Sequence, residues 1–90
     1  MYHVYMIKNN SDDLYIGVSQ DINGRLETHN KKAGAKFTKN KKPFKLVFKE
    51  EYKSLKEARQ REIQIKKWRR DKKEFLIEKY SKKLETKINN

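Results

Sequence analysis

Residues 14–19 read Leu14-Tyr15-Ile16-Gly17-Val18-Ser19, and the fold turns on them. The stretch has the composition of a strand, yet Gly17 stands in its middle, where a β-branched residue would pack better. Glycine inside a strand marks a place where something approaches the backbone closely. Upstream, Tyr2–Ile7 (YHVYMI) is almost wholly apolar or aromatic and too short for a helix, which predicts a strand buried on both faces. The KNNSDD cluster between them is turn-forming, so a loop of about five residues closes a β-hairpin. If Lys8 lies opposite Leu14, Tyr15 faces Ile7, and Tyr5 and Tyr15 project from one face of the hairpin. A register shifted by one residue separates them.

The elements that follow are read in the same way. Ser19 or Asp21 can cap a helix over DINGRLETHNKK, in which Ile22 and Leu26 are four apart. Gly24 weakens that helix by up to about 1 kcal/mol relative to alanine. KKAGAKFTKNKKP then forms a basic loop with Lys31, Lys32, Lys36, Lys39, Lys41 and Lys42 and no acid. After Pro43, Phe44, Leu46 and Phe48 alternate, predicting a third strand with those three on one face. Ser54 and Glu57 make a capping box for a helix over SLKEARQREIQIKKWRR, and KKEFLIEKY predicts a second helix from near Asp71. The tail, residues 81–90, is polar, with Leu84 and Ile88 as its apolar anchors, and is expected to fray. The order is β-β-α-β-α-α: an α+β domain over residues 1–80, with helices flanking a small three-stranded antiparallel sheet.

Ninety residues make a single domain near the lower size limit for folding without staples. The chain has no cysteine, which excludes a disulfide framework and a thiolate zinc site and fits a reducing cytoplasm. No apolar run reaches the roughly 18–20 residues of a membrane span, and no signal-peptide pattern opens the chain, so a cytoplasmic location is expected. Against 12 acidic residues stand 24 lysines and arginines, a net charge of +12. A 40% charged composition invites disorder, but the apolar residues fall into periodic segments. A folded domain of this charge implies a polyanionic partner, nucleic acid first. An acidic membrane fits less well, since no segment is a clean basic amphipathic helix with aromatic anchors. A general lysine bias accounts for part of the excess.

Four sets of residues carry potential chemistry, each beside a plainer reading. Tyr5 and Tyr15 are either cross-strand core aromatics or two phenols at a site. Arg25 and His29, four apart on a helix, either line a solvated face or pair a phosphate-gripping guanidinium with a group that exchanges protons near neutral pH. Glu62 shares the inward stripe of Leu55, Ala58, Ile65 and Trp68. A carboxylate there needs a cation: an ion pair with Arg25 or a lysine, a rim position, or a metal. Trp68 reads better as core than as a surface for stacking a base.

Together, His3-Val4-Tyr5, Tyr15-Ile16-Gly17 ten residues on, Arg25 in RLETH and Glu62 in EARQREIQIK resemble the GIY-YIG nuclease superfamily. The similarity is strongest to small stand-alone bacterial proteins related to the endonuclease domain of the excision-repair incision subunit. GVSQD, AGAKFT before Pro43, and KKWRRDKKEFLI add to it, and it spans residues 2–78. The glycine of the family's first motif is replaced by His3, while the tyrosine is kept as Tyr5.

The resemblance implies a metal-dependent endonuclease acting on nucleic acid, DNA ahead of RNA, with a structure- or repair-related substrate. Tyr5 and Tyr15 would position or deprotonate the attacking water, and Arg25 would hold the scissile phosphate. His29 would assist proton transfer or tune a tyrosine, Glu62 would bind one Mg²⁺ or Mn²⁺, and Gly17 would make room beside the site. A tyrosine acting as base needs a pKa below its usual value of about 10, which the net charge and Arg25 would favour. Lys31, Lys32, Lys36, Lys39, Lys41 and Lys42, with Lys66, Lys67, Arg69 and Arg70, would follow the nucleic-acid backbone. Nucleases of this superfamily often rely on a second domain, so a protein partner supplying specificity is expected. The rivals are a non-catalytic nucleic-acid-binding module and a basic ribosome-associated protein.

Overall fold

The computed structural model describes residues 1–36 and 43–87, with side chains at 1–31 and 43–87. Strands β1 (Tyr2–Lys8) and β2 (Leu14–Ser19) are followed by α1 (Ile22–Lys36), β3 (Lys45–Tyr52), α2 (Leu55–Lys66) and α3 (Arg70–Ser81), the α+β order expected from sequence. The hairpin turn is built by Asn9, whose Oδ1 accepts hydrogen bonds from the backbone N–H groups of Ser11 (3.0 Å) and Asp13 (2.9 Å). Asp12 takes the left-handed conformation there (φ 69°), which Asp tolerates better than most residues. The register sets Lys8 opposite Leu14, Ile7 opposite Tyr15 and Tyr5 opposite Gly17.

The sheet order is β2-β1-β3, antiparallel throughout, so β1 is the central strand and both of its faces are covered. Val4 and Met6 pack with Ile16, Phe48, Ala58, Ile65 and Leu76, beneath α2 and α3. Tyr5 and Ile7 point the other way, toward Phe44, Leu46 and the α1 residues Ile22 and Leu26. One expectation fails in β3. Phe44, Leu46 and Phe48 do not share a face, because the pairing shifts between Met6, opposite Phe48, and Ile7, opposite Leu46. The extra residue in β3 reverses the alternation, as a β-bulge does. Phe48 is therefore fully buried under α2 and α3, and Phe44 and Leu46 fall on the α1 side.

Asp21 caps α1: its Oδ1 accepts from Gly24 N–H (3.0 Å), and Ser19 Oγ accepts from Asp21 N–H (2.9 Å). The helix runs to Lys36, taking in residues 31–36 that the sequence reading placed in a loop. Asn30 then clasps the start of β3, exchanging two hydrogen bonds with the backbone of Phe44 (2.7 and 3.2 Å). Ser54 caps α2 as expected, accepting from Glu57 N–H. That helix ends at Lys66, so Trp68 lies in the connection to α3 rather than on the stripe, half-buried at the edge of the core. Leu55, the first helical residue, is exposed; the buried stripe is Ala58, Glu62 and Ile65.

Helix α3 ends in a Schellman turn, with Lys83 left-handed (φ 61°) and bonds from Leu84 N–H to Lys79 O and Lys83 N–H to Tyr80 O. The turn sends the tail, expected to fray, back across the molecule as far as Lys87. Thr86 is buried and its carbonyl accepts from Arg61 (3.0 Å). Arg61 also makes a two-point pair with the buried Glu50 (2.9 and 3.1 Å), whose carboxylate takes the Tyr52 hydroxyl as well. Among the described residues no helix is long and apolar enough to cross a membrane.

Candidate active site

The reason for glycine inside β2 is spatial. Tyr5, opposite Gly17, lays its phenol across the bare backbone. A Cβ at residue 17 would stand 2.8 Å from the Tyr5 hydroxyl and 2.9 Å from its ring carbon, closer than any real contact. Gly17 has no positive φ, so space rather than backbone freedom selects it. Tyr15, two residues before it on the same face, has its ring centroid 6.4 Å from that of Tyr5.

Helix α1 brings up the next pair. His29 sits between Tyr15 (4.9 Å between centroids) and Phe44 (4.5 Å, edge-on), which fixes its ring beside the exposed phenol. Arg25, one turn earlier on the helix, is exposed on the cleft wall. Among the described residues no carboxylate pairs with it.

Glu62 comes in from α2 and is buried. Its two oxygens are held by Arg59 (3.5 Å) and Lys66 (3.2 Å), so the ion pair is made with cations of its own helix and not with Arg25. Tyr5, Tyr15, Gly17, Arg25, His29 and Glu62 line one cleft of about 230 Å³, together with Val18, Thr28 and Arg59. Residues 57 positions apart in the chain thus converge on one polar hollow. Sequence reasoning missed Arg59 and gave Lys66 to the nucleic-acid surface. Their spacing from Glu62, three back and four on, was the readable signal, since those positions share a helix face.

The donor set bears on what cation could sit here. Among the described residues no group of three or more His, Cys, Asp or Glu side chains could hold a metal. A single carboxylate in a roomy polar cleft fits a hard ion that keeps most of its waters, such as Mg²⁺ or Mn²⁺, and does not fit a closed zinc site.

Burial raises the Tyr5 pKa above its ordinary value, the neighbouring Tyr15 and Glu62 add to the rise, and Arg25 opposes it without prevailing. Arg25 pushes this phenol's pKa down as expected, but for Tyr5 burial prevails. Desolvation of the phenolate outweighs one guanidinium at the cleft wall. Tyr5 is a neutral phenol, a hydrogen-bond donor, at physiological pH.

The basic residues are less uniform than their spacing implied. Lys31 is exposed and pairs with Glu27 (3.2 Å). Lys32 and Lys36 lie on α1, and Lys39, Lys41 and Lys42 fall outside the described residues. Lys67 and Arg69 are exposed at the α2–α3 corner. Arg70 is drawn into a clamp instead. It bonds Glu74 (2.8 Å) and Asp12 (3.2 Å), Lys8 also reaches Glu74 (3.0 Å), and the set ties the hairpin turn to α3. His3, in the place of the motif glycine, is not in the cleft; its Nε2 lies 3.6 Å from Glu51.

Comparison with known proteins gives a consistent result. The family model described as the GIY-YIG catalytic domain matches residues 1–75. UPF0213 proteins of Staphylococcus aureus strains Mu3 and COL are each 43% identical over 76 residues, which is 84% of this chain and 93% of theirs. The solution NMR structure of a UPF0213 protein from Bacillus halodurans is 33% identical, covers 87% of this chain and 84% of that one, and superposes with a TM-score of 0.55. On a match to most of its length, and with relatives of its own size, the chain belongs to the GIY-YIG family of nuclease domains.

Proposed function

We propose that the cleft is a one-metal phosphodiesterase site and that the protein is an endonuclease cutting DNA of irregular or repair-related structure in the cytoplasm, within a catalytic unit of residues 1–80. The observation that carries this reading is the convergence on one cleft of two phenols, a guanidinium without an acidic partner among the described residues, an imidazole and a buried carboxylate. Arg25 grips the scissile phosphate and offsets the charge that builds on it. Tyr5, protonated, donates a hydrogen bond that orients the attacking water or a phosphate oxygen. Tyr15, exposed and stacked near His29, manages the water's proton, with the imidazole as the exchange partner. Glu62 would hold Mg²⁺ or Mn²⁺, in competition with the Arg59 and Lys66 cations that pair with it. A divalent ion bound there supplies Lewis-acid stabilisation to the phosphate and the leaving oxygen.

Lys31, Lys32, Lys36, Lys39, Lys41, Lys42, Lys66, Lys67 and Arg69 supply sequence-independent backbone contacts, with Arg70 contributing only as it leaves its clamp. A partner protein supplies the choice of substrate. A second reading, a binding module without catalysis, is favoured by one fact: Glu62 already has two cationic partners and needs no metal to be stable in place.

The test is cleavage of single-stranded, nicked and branched DNA with Mg²⁺ or Mn²⁺. Loss of a positioned electrostatic contact typically costs about 10²–10³ in rate, so Glu62→Ala and Arg25→Ala should each fall by that much or more. Undiminished cleavage in both variants would remove the assigned site. Tight metal-independent binding without cleavage would favour the second reading.

A further inference from the structure

On the flank of α2 away from the cleft lies a second hollow, of about 300 Å³, lined by Arg61, Gln64, Trp68, Lys72, Phe75, Leu76, Lys79 and Thr86. At 100° per residue, Arg61 and Gln64 stand on one side of the buried Ala58–Ile65 stripe, while Arg59, Glu62 and Lys66 stand on the other. The two hollows are thus separated by the helix itself. No carboxylate lines this second one among the described residues.

Its aromatic content is unusual for a surface. Phe75 is 59% exposed, and nothing in the core needs it there. Lys79 Nζ lies 5.6 Å from the centre of the Phe75 ring, and Lys72 Nζ 4.3 Å from that of Trp68. Lys72, Phe75 and Lys79 follow one another at helical spacing along α3, and each aromatic ring of the groove carries a cation, Phe75 that of Lys79 and Trp68 those of Lys72 and Arg61 (5.2 Å). Arg61 closes the inner end, its own charge already met by Glu50.

We infer that this groove binds a single-stranded nucleic-acid segment, with a base stacked on Phe75 beside Trp68 and phosphates held by Lys72 and Lys79. The partner class rests on the reading of the cleft; the site does not, since none of its residues line the cleft. Charge complementarity identifies the occupant: a groove with no carboxylate among its described lining residues selects a polyanion, and aromatic rings that each adjoin an ammonium group match bases flanked by phosphates. From Lys72 to Lys79 the helix rises about 10 Å, room for two or three nucleotides. A duplex keeps its bases stacked inside and offers the platform no free ring, so the groove prefers a single strand. It would hold the unpaired arm of a branched or frayed substrate while the cleft engages the backbone.

The chain's only tryptophan makes the test direct. The Glu62→Ala protein, without metal, is titrated with a short oligothymidylate, reading Trp68 fluorescence and, separately, anisotropy of a labelled oligonucleotide. The expected result is a fluorescence change that tracks binding, is weaker for a hairpin duplex of equal charge, and persists when Arg25→Ala is added. Phe75→Ala, at an exposed position that should not disturb folding, weakens binding roughly tenfold. Lys72→Ala with Lys79→Ala lowers the salt dependence by about one to two phosphate contacts. Binding by anisotropy without any Trp68 response would overturn the proposal. So would a stronger response to polyglutamate than to the oligonucleotide at equal charge, which would assign the groove to an acidic protein partner. Failure of DNA cleavage in the wild-type protein would leave this readout standing, so the two claims are tested apart.

Discussion

A methyl group at residue 17 would overlap the Tyr5 hydroxyl, and Gly17, buried in the sheet, cannot move away, so the Tyr5 ring must give. Gly17→Ala should therefore destabilise the fold by about 1–3 kcal/mol, the usual cost of overpacking, and push Tyr5 out of the cleft. Chemical denaturation with tyrosine fluorescence measures both. Tyr5 itself predicts a pH effect. Its folded pKa is raised above the unfolded value, so between those two values the folded chain binds the extra proton. Stability is then unaffected by Tyr5 below about pH 10 and falls as the pH rises beyond it. Tyr52, pushed up by burial and by Glu50, acts in the same sense. Tyr5→Phe should shrink, without abolishing, the loss of stability between about pH 9 and about pH 11. An unchanged loss would mean that Tyr5 ionises freely.

At the level of elements, the hairpin was legible because two strong signals agreed: the KNNSDD turn cluster and the short apolar runs on either side of it. The face of β3 was not, since a bulge leaves no mark in an alternation of Phe44, Leu46 and Phe48; only the pairing with β1 reveals it. The end of α2 was misjudged for a related reason. Trp68 continues the helical spacing of Ala58 and Ile65, although the helix has stopped at Lys66. Of the tail, residues 81–87 are described, and the expected anchor Ile88 lies outside the described residues. Leu84 is exposed, while Thr86 is held by its carbonyl through the Glu50–Arg61 pair, a backbone contact no hydropathy pattern records. The turn before it carries a cost, a lysine in the left-handed conformation. Lys83→Gly should relieve it and stabilise the protein by about 1 kcal/mol, seen as a higher denaturation midpoint at unchanged slope. A lower midpoint would contradict the Schellman geometry.

Across the whole molecule, the sheet serves as a partition. Its α2–α3 face holds most of the core, while its α1 face carries Tyr5 and the wall of the cleft, to which Glu62 reaches from α2 along the β2 side. Tyr5, Tyr15, Arg25, His29 and Glu62 were readable in the sequence through motif spacing, and so was a lysine partner for Glu62; Arg59, which completes the Arg59–Glu62–Lys66 triplet, was not, though helical spacing contains it. That triplet bears on the central claim, because a metal at Glu62 must compete with two cations already in place. The most direct test is an NMR titration of the nucleic-acid-free protein with Mn²⁺, whose paramagnetism broadens nearby amide signals. The cleft assignment predicts broadening centred on Gly17, Arg25 and Glu62, strengthened in Arg59→Ala and abolished in Glu62→Ala. Broadening that survives Glu62→Ala unchanged, or that centres away from the cleft, would contradict it.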